Sequence, residues 1–372
     1  MSEQQLMKYG LGADAIARID HVLSIVIKDF SSTEFTQAAL EGINELELKQ
    51  RVHHLIEVLA RFLPSKFSEA AVILLQVKQH WNWGDENDAL SSFAAWPLID
   101  YVAIYGLEEP ELALEVLKDI TPLFSAEFAI RPFITQHDEL TYQQALLWCS
   151  DPDEHVRRLA SEGFRPRLPW GVRLNQFCEN PQPIFPILEQ LKDDASLYVR
   201  KSVANNLNDI SKDNPDDVVT LCQRWSKDAS AERQFIIRQG LRSLVKAGRP
   251  EVFPLLGYTA EPQIKQLGIK LNQIKVKLGE ILEFSTELES NSDKSQSFVL
   301  DYKVHHVKAN GTASAKVFKW KNITLQPRQN VQLQKSHPFK LITTRKYYAG
   351  THSIELQING KSMVKADFEL VI

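Results

Sequence analysis

The chain has 372 residues, 44% of them hydrophobic, three cysteines and a net charge of −4. That length fits a large domain plus a small one, each with a real apolar core. Cys149, Cys178 and Cys222 are irregularly spaced, which excludes a disulfide framework or a zinc pattern and suits a reducing, cytoplasmic setting; a polar start and no apolar run of membrane length predict neither a secretory leader nor a membrane span.

Residues 1–280 read as helical. Segments such as SEAAVILLQVKQHW, PELALEVLKDI, YQQALLWC and DVVTLCQRWSK carry apolar residues three and four apart. Pro, Gly, Asp and Asn separate them at short intervals, as in stacked helical hairpins. DPDEHVRRLASEGF (151–164) and DDASLYVRKSVANNL (193–207) both place Asp before a Val-Arg pair, and Val156 and Val199 are 43 residues apart. ASAERQFIIRQGL repeats this loosely, with Ile237-Arg238 a further 38 residues on. A period near 40 predicts HEAT-like repeats, each helix pair burying its face against its neighbours. QIKQLGIKLNQIKVKLGE (263–280) is expected to be the last helix.

From residue 281 the period changes. ILEFSTELES, SFVLDYKVHHV, AKVFKWKNITL and HSIELQING alternate apolar with polar residues, and Asn310-Gly311 and Asn359-Gly360 are hairpin signals. About seven short strands predict a β-sandwich, with Tyr347-Tyr348 ahead of a strand as in immunoglobulin-like modules. The fold class is therefore mainly α: a HEAT-like α-solenoid over 1–280, then a small all-β immunoglobulin-like sandwich over 281–372. Charge follows this order. Residues 224–279 carry 11 basic against 4 acidic residues and residues 281–372 carry 13 against 8, while the chain before them is strongly acidic. Such a basic half suits a polyanion, which Lys265 and Lys270 would face, although lysines there would also simply solubilise a helix.

The stretch SEGFRPRLPW (161–170) stands out. Glu162 sits among the small residues Ala160, Ser161 and Gly163, which permit close approach of a bulky group. Pro166 and Pro169 stop the helix, Arg165 and Arg167 present cations, and Trp170 presents a flat face. Salt bridges to Arg157, Arg158, Arg165, Arg167 or Arg173 would also account for Glu162.

WPLIDYVAIYGLEEPELALEVLKDITPLFSAEFAIRPFI together with VRRLASEGFRPRLPW resembles the AlkC branch of the AlkC/AlkD-type DNA alkylation-repair glycosylases. The resemblance covers most of residues 1–280, and the β-region resembles the immunoglobulin-like extension found in part of that branch. It implies hydrolysis of the N-glycosidic bond of cationic alkylated bases, 3-methyladenine and 3-methylcytosine, in duplex DNA. It also implies the site. Glu162, Asp209 and Glu127 match the family's acids, and Trp170 matches their aromatic partner. Carboxylates suit this chemistry, since a cationic base leaves without protonation and an oxocarbenium-like sugar must be stabilised. Arg158, Arg165 and Arg167, with Lys265 and Lys270, are expected at DNA phosphates. Glu127 would otherwise pair with Arg131, and Asp209 would otherwise be a turn residue.

Trp81, Trp83, Trp96 and Phe128 offer faces for a base and equally suit a core. His80, His137 and His155 lack metal-ligand spacing and no Gly-rich phosphate loop exists, so no metal and no cofactor are expected. A monomer is expected. The rival readings are a non-enzymatic HEAT-repeat scaffold for a protein partner and a structure-specific DNA-binding protein without catalysis.

Overall fold

The protein's structure is a computed structural model that describes residues 6–342 and 345–372. It forms two compact units, Met1–Asn214 and Pro215–Ile372. The first unit is helical. Leu48–Phe62 buries Val52, Leu55, Ile56, Val58 and Leu59 along one stripe, and Pro110–Ile120, opened by its proline, does the same with Ala113, Leu114, Val116, Leu117 and Ile120.

The repeat signature has a local physical cause. Asp153 and Ser196 cap the helices Glu154–Glu162 and Leu197–Ile210. Arg157 and Arg200 fold back onto their own preceding loops, donating to the carbonyls of Asp151 and Pro152 and of Asp194 and Ala195. Arg157 also reaches the next repeat, with Nε 2.7 Å from Asp194 Oδ2. The two helices pack together, tied by Ser161 Oγ to Ser202 Oγ at 2.7 Å and by Asn206 Nδ2 to the Ser161 carbonyl at 2.7 Å. Ser161 thus admits the neighbouring helix. A β-carbon at Gly163 would likewise lie 2.6 Å from Ile130 Cγ2.

The second unit joins the helices Pro215–Ser226, Ala231–Gly240, Arg242–Ala247 and Val252–Leu255 to two sheets. Its strands are β1 (Ile264–Leu271), β2 (Lys275–Lys277), β3 (Ile281–Ser290), β4 (Gln296–Val307), β5 (Ala313–Leu325), β6 (Asn330–Pro338), β7 (Gly350–Ile358) and β8 (Lys361–Val371). The sheets run β1-β3-β6 and β2-β8-β7-β4-β5. Between them lie Leu282, Phe284, Tyr302, Val304, Phe339, Leu356 and Phe368. Asn359 and Gly360, at φ +46° and +73°, make the tight β7–β8 turn.

The helix expected over 263–280 is not formed. That segment is β1 and β2, so the β-region starts before residue 281 and a boundary at 280/281 would cut it. Its alternation of Ile or Val with Lys suits strands. Gly268, at φ +107°, sits where the β1–β3 register shifts between Gln266 and Ile269, and this bulge breaks the period. The helices of 215–255 also belong with the sheets. Asn359 Nδ2 donates to the Thr259 carbonyl at 2.8 Å, and Val299 N donates to Asn359 Oδ1 at 2.9 Å. Gly360 approaches Gly248 so closely that a β-carbon on it would lie 1.9 Å from Gly248 Cα.

Candidate active site

Glu162 is the last residue of Glu154–Glu162, and the loop after it turns back so that Leu174 N bonds the Pro166 carbonyl at 3.1 Å. Buried Arg131 pins both ends of this loop, donating to the carbonyls of Gly163 (2.8 Å) and Val172 (2.6 Å). Arg131 therefore does not serve Glu127. Burial, then repulsion from Arg165, brings its guanidinium down to about 10.

The acids and bases alternate through the site. Glu127 Oε2 accepts from Arg158 Nη1 at 2.8 Å and from Ser125 Oγ at 2.8 Å. Arg158 Nη2 reaches Glu162 Oε1 at 3.3 Å, and Arg165 Nη1 reaches the same oxygen at 2.7 Å. Arg165 Nε then donates to Asp209 Oδ2 at 2.9 Å, and Lys212 Nζ donates to Asp209 Oδ1 at 3.0 Å. Three carboxylates meet three cations.

Glu162 is distinctive within this web. It is 3% exposed, and its Oε2 is buried with no hydrogen-bond partner. Burial alone would raise its pKa, but Arg158 and Arg165 outweigh that and hold the carboxyl below the usual range. The Ser202 hydroxyl, 2.7 Å from Ser161 Oγ, adds to this effect. The same carboxylates raise Arg158 and Arg165 against the burial that would lower them.

Glu127 and Glu162 line a cavity of about 550 Å³ with Phe124, Phe128, Tyr198 and Trp170. Trp170 is half exposed at its rim. Asp209, 2% exposed, lies behind Arg165 and does not line the cavity. Trp96 is buried and stacks on Phe124 and Phe128 (5.1 and 5.5 Å between ring centres), so it backs the cavity wall. Trp81 is buried beneath Arg18, whereas Trp83 is exposed.

The residues expected at phosphates separate. Arg165 is buried and Arg158 part-buried, both pair with the carboxylates, and both line the cavity. Arg167 pairs with Asp213 through Nε at 2.7 Å and is part-exposed. Lys265 and Lys270 lie on β1 in the second unit, with Lys265 Nζ 3.8 Å from Glu289. Arg157 serves the repeat ladder instead of Glu162.

Sequence reasoning missed Ser125, Tyr198 and Lys212. Tyr198 lies under the Arg158 guanidinium at 4.5 Å. Lys212 was visible as a cation three residues after Asp209, but Tyr198 had no signal beyond its place before Val199-Arg200. Cys149 and Cys222 are buried, and burial pushes both thiols up to about 12. Among the described residues no cluster of His, Cys, Asp or Glu has a geometry that could hold a metal, and no helix is long and apolar enough to cross a membrane.

The chain is similar to known proteins along its whole length. A family model described as "Uncharacterised protein YhaZ, C-terminal Ig-like domain" matches residues 265–372, beginning within β1. "Uncharacterized protein YhaZ" of Bacillus subtilis (strain 168) is 36% identical over 358 residues, covering 96% of this chain and 97% of its own. The solved structure of Pseudomonas fluorescens alkylpurine DNA glycosylase AlkC, bound to DNA containing an abasic site analog, is 35% identical with a TM-score of 0.91 and covers 99% of this chain and 100% of that one. The chain thus belongs to the family of AlkC and YhaZ, and carries a C-terminal Ig-like domain.

Proposed function

We propose that the protein is a monofunctional DNA glycosylase that hydrolyses the N-glycosidic bond of cationic alkylated bases, 3-methyladenine and 3-methylcytosine, in duplex DNA. The observation that carries this reading is Glu162: an ionised carboxylate at a cavity wall with one buried oxygen unpartnered. Such a carboxylate sets fixed negative charge at the wall of the cavity. As the glycosidic bond breaks, charge develops on the deoxyribose, and a carboxylate fixed in place by two arginines stabilises it without reorganising. The cationic base leaves without a protein proton.

The remaining residues take graded roles in this reading. Glu127 faces the cavity as a second acid, through which a water can be oriented. Asp209 acts through Arg165, whose guanidinium it shares with Glu162. Trp170 offers its face to the cationic base or sugar. Arg167, Lys265 and Lys270 would meet phosphates, and the basic excess of the β-region adds to duplex binding. The protein works as a monomer in the bacterial cytoplasm.

The test is base release from duplex DNA containing 3-methyladenine or 3-methylcytosine. The reading expects release by the wild-type chain and binding that weakens steeply with salt. No release, with binding of a protein partner that persists at high salt, would favour a scaffold.

A further inference from the structure

Trp170 is held in an unusual way. Its φ is +65°, a left-handed conformation that bulky side chains rarely adopt. The loop around it is pinned from inside by Arg131, and a β-carbon at the next position, Gly171, would lie 3.0 Å from Leu168 Cδ2 and 3.3 Å from Arg131 Cδ. Trp170 is also held from outside. Lys49 Nζ donates to its carbonyl at 2.8 Å, across 121 residues of sequence. Lys49 is exposed, in the first turn of Leu48–Phe62, a helix fixed there by the Glu47–Gln50 capping box.

Trp170 borders two spaces, and this gives the contact its meaning. One is the 550 Å³ cavity lined by Glu162. The other is a recess of about 150 Å³, lined by Lys49, His53, Trp96 and Asp100 and also bordered by Trp170. Asp100 accepts from Trp96 Nε1 at 2.8 Å, while its Oδ1 is buried without a partner. An indole that borders two recesses has somewhere else to go unless its backbone is fixed.

We infer that Lys49 is a positioning residue: by gripping the Trp170 carbonyl it keeps the indole at the mouth of the carboxylate cavity and out of the smaller recess. Its part in catalysis rests on the proposed glycosylase reading; its effect on Trp170 does not. The residue type fits. An ammonium on a flexible stem reaches a lone carbonyl at the surface, and a second cationic donor of similar reach can replace it.

The experiment uses the full chain labelled with 5-fluorotryptophan, with the Trp170 fluorine resonance assigned as the one lost in Trp170→Phe. Lys49→Met is expected to shift or broaden that resonance while the other tryptophans hold theirs, and Lys49→Arg to restore it. On alkylated duplex, Lys49→Met should slow single-turnover release about tenfold, with binding within about twofold and the salt dependence unchanged. An unmoved Trp170 resonance in Lys49→Met overturns the inference. So does a salt slope flattened by about one unit, because Lys49 would then be a phosphate contact. If the wild-type chain releases no base, the glycosylase reading fails and the fluorine spectra still decide the role of Lys49.

Discussion

Arg165 joins Glu162 to Asp209: its Nη1 lies 2.7 Å from Glu162 Oε1, and its Nε lies 2.9 Å from Asp209 Oδ2. All three side chains are buried. One cation therefore holds two acids from neighbouring repeats in one place and keeps both compatible with burial.

Removing that cation should be costly in two ways. Arg165→Met leaves two buried carboxylates short of charge, and should destabilise the first unit by about 3–5 kcal/mol, read from chemical unfolding. It should also raise the Glu162 pKa, since Arg165 is one of the two cations that lower it. A raised pKa means a protonated carboxyl at higher pH, so the acid limb of the rate profile should move upward. Arg165→Lys should recover part of the stability and restore less of the two-sided geometry.

The second unit should be sensitive to acid. His306, His337 and His352 lie in the aromatic interior, near Arg345. Burial, with Arg345 adding to it, pushes His306 down to about 3 and His337 to about 4, and lowers His352. Both ring nitrogens of His306 are buried without partners. The folded state thus excludes protons that the unfolded chain takes up below its ordinary histidine pKa near 6.5. Stability is full above that value and falls as pH drops toward about 3, by on the order of 3 kcal/mol for His306 at pH 4. His306→Phe should move the acid-unfolding midpoint of the second unit to lower pH; an unchanged midpoint would mean that these rings do not set it.

The Gly248–Gly360 approach makes a sharp packing prediction. Gly360→Ala places a methyl 1.9 Å from Gly248 Cα, at a φ of +73°. Backbone must move, so a loss of at least ~2 kcal/mol is expected in unfolding of the second unit. Gly311→Ala, also at positive φ but with nothing within 4 Å, should cost less.

What the sequence shows of this protein depends on how local the physics is. The repeats are legible because Arg157 and Arg200 fold onto loops six residues or fewer away. The β7–β8 turn is legible because Asn359-Gly360 prescribes its own backbone. Glu162 with Arg158 and Arg165 follows from spacings of four and three residues on a helix and its end. The segment 263–280 misleads because the bulge at Gly268 interrupts its alternation. Asp209 behind Arg165, Tyr198 under Arg158 and Lys49 on Trp170 depend on how repeats stack, which no short window contains.

The central claim is that Glu162 acts through its charge, and single-turnover base release by Glu162→Gln tests it most directly. The substitution keeps shape and hydrogen-bonding capacity while removing the charge that Glu162 holds at the cavity wall. Losing a well-placed charge in such a site removes ~3 kcal/mol of transition-state stabilisation, about a hundredfold in rate. The account predicts a loss of about that size on a 3-methyladenine duplex, with folding intact and duplex binding unchanged or slightly tighter. Release at near the wild-type rate by a folded Glu162→Gln protein would contradict it, and would make the carboxylate web of Glu127, Glu162 and Asp209 a structural feature of the repeats.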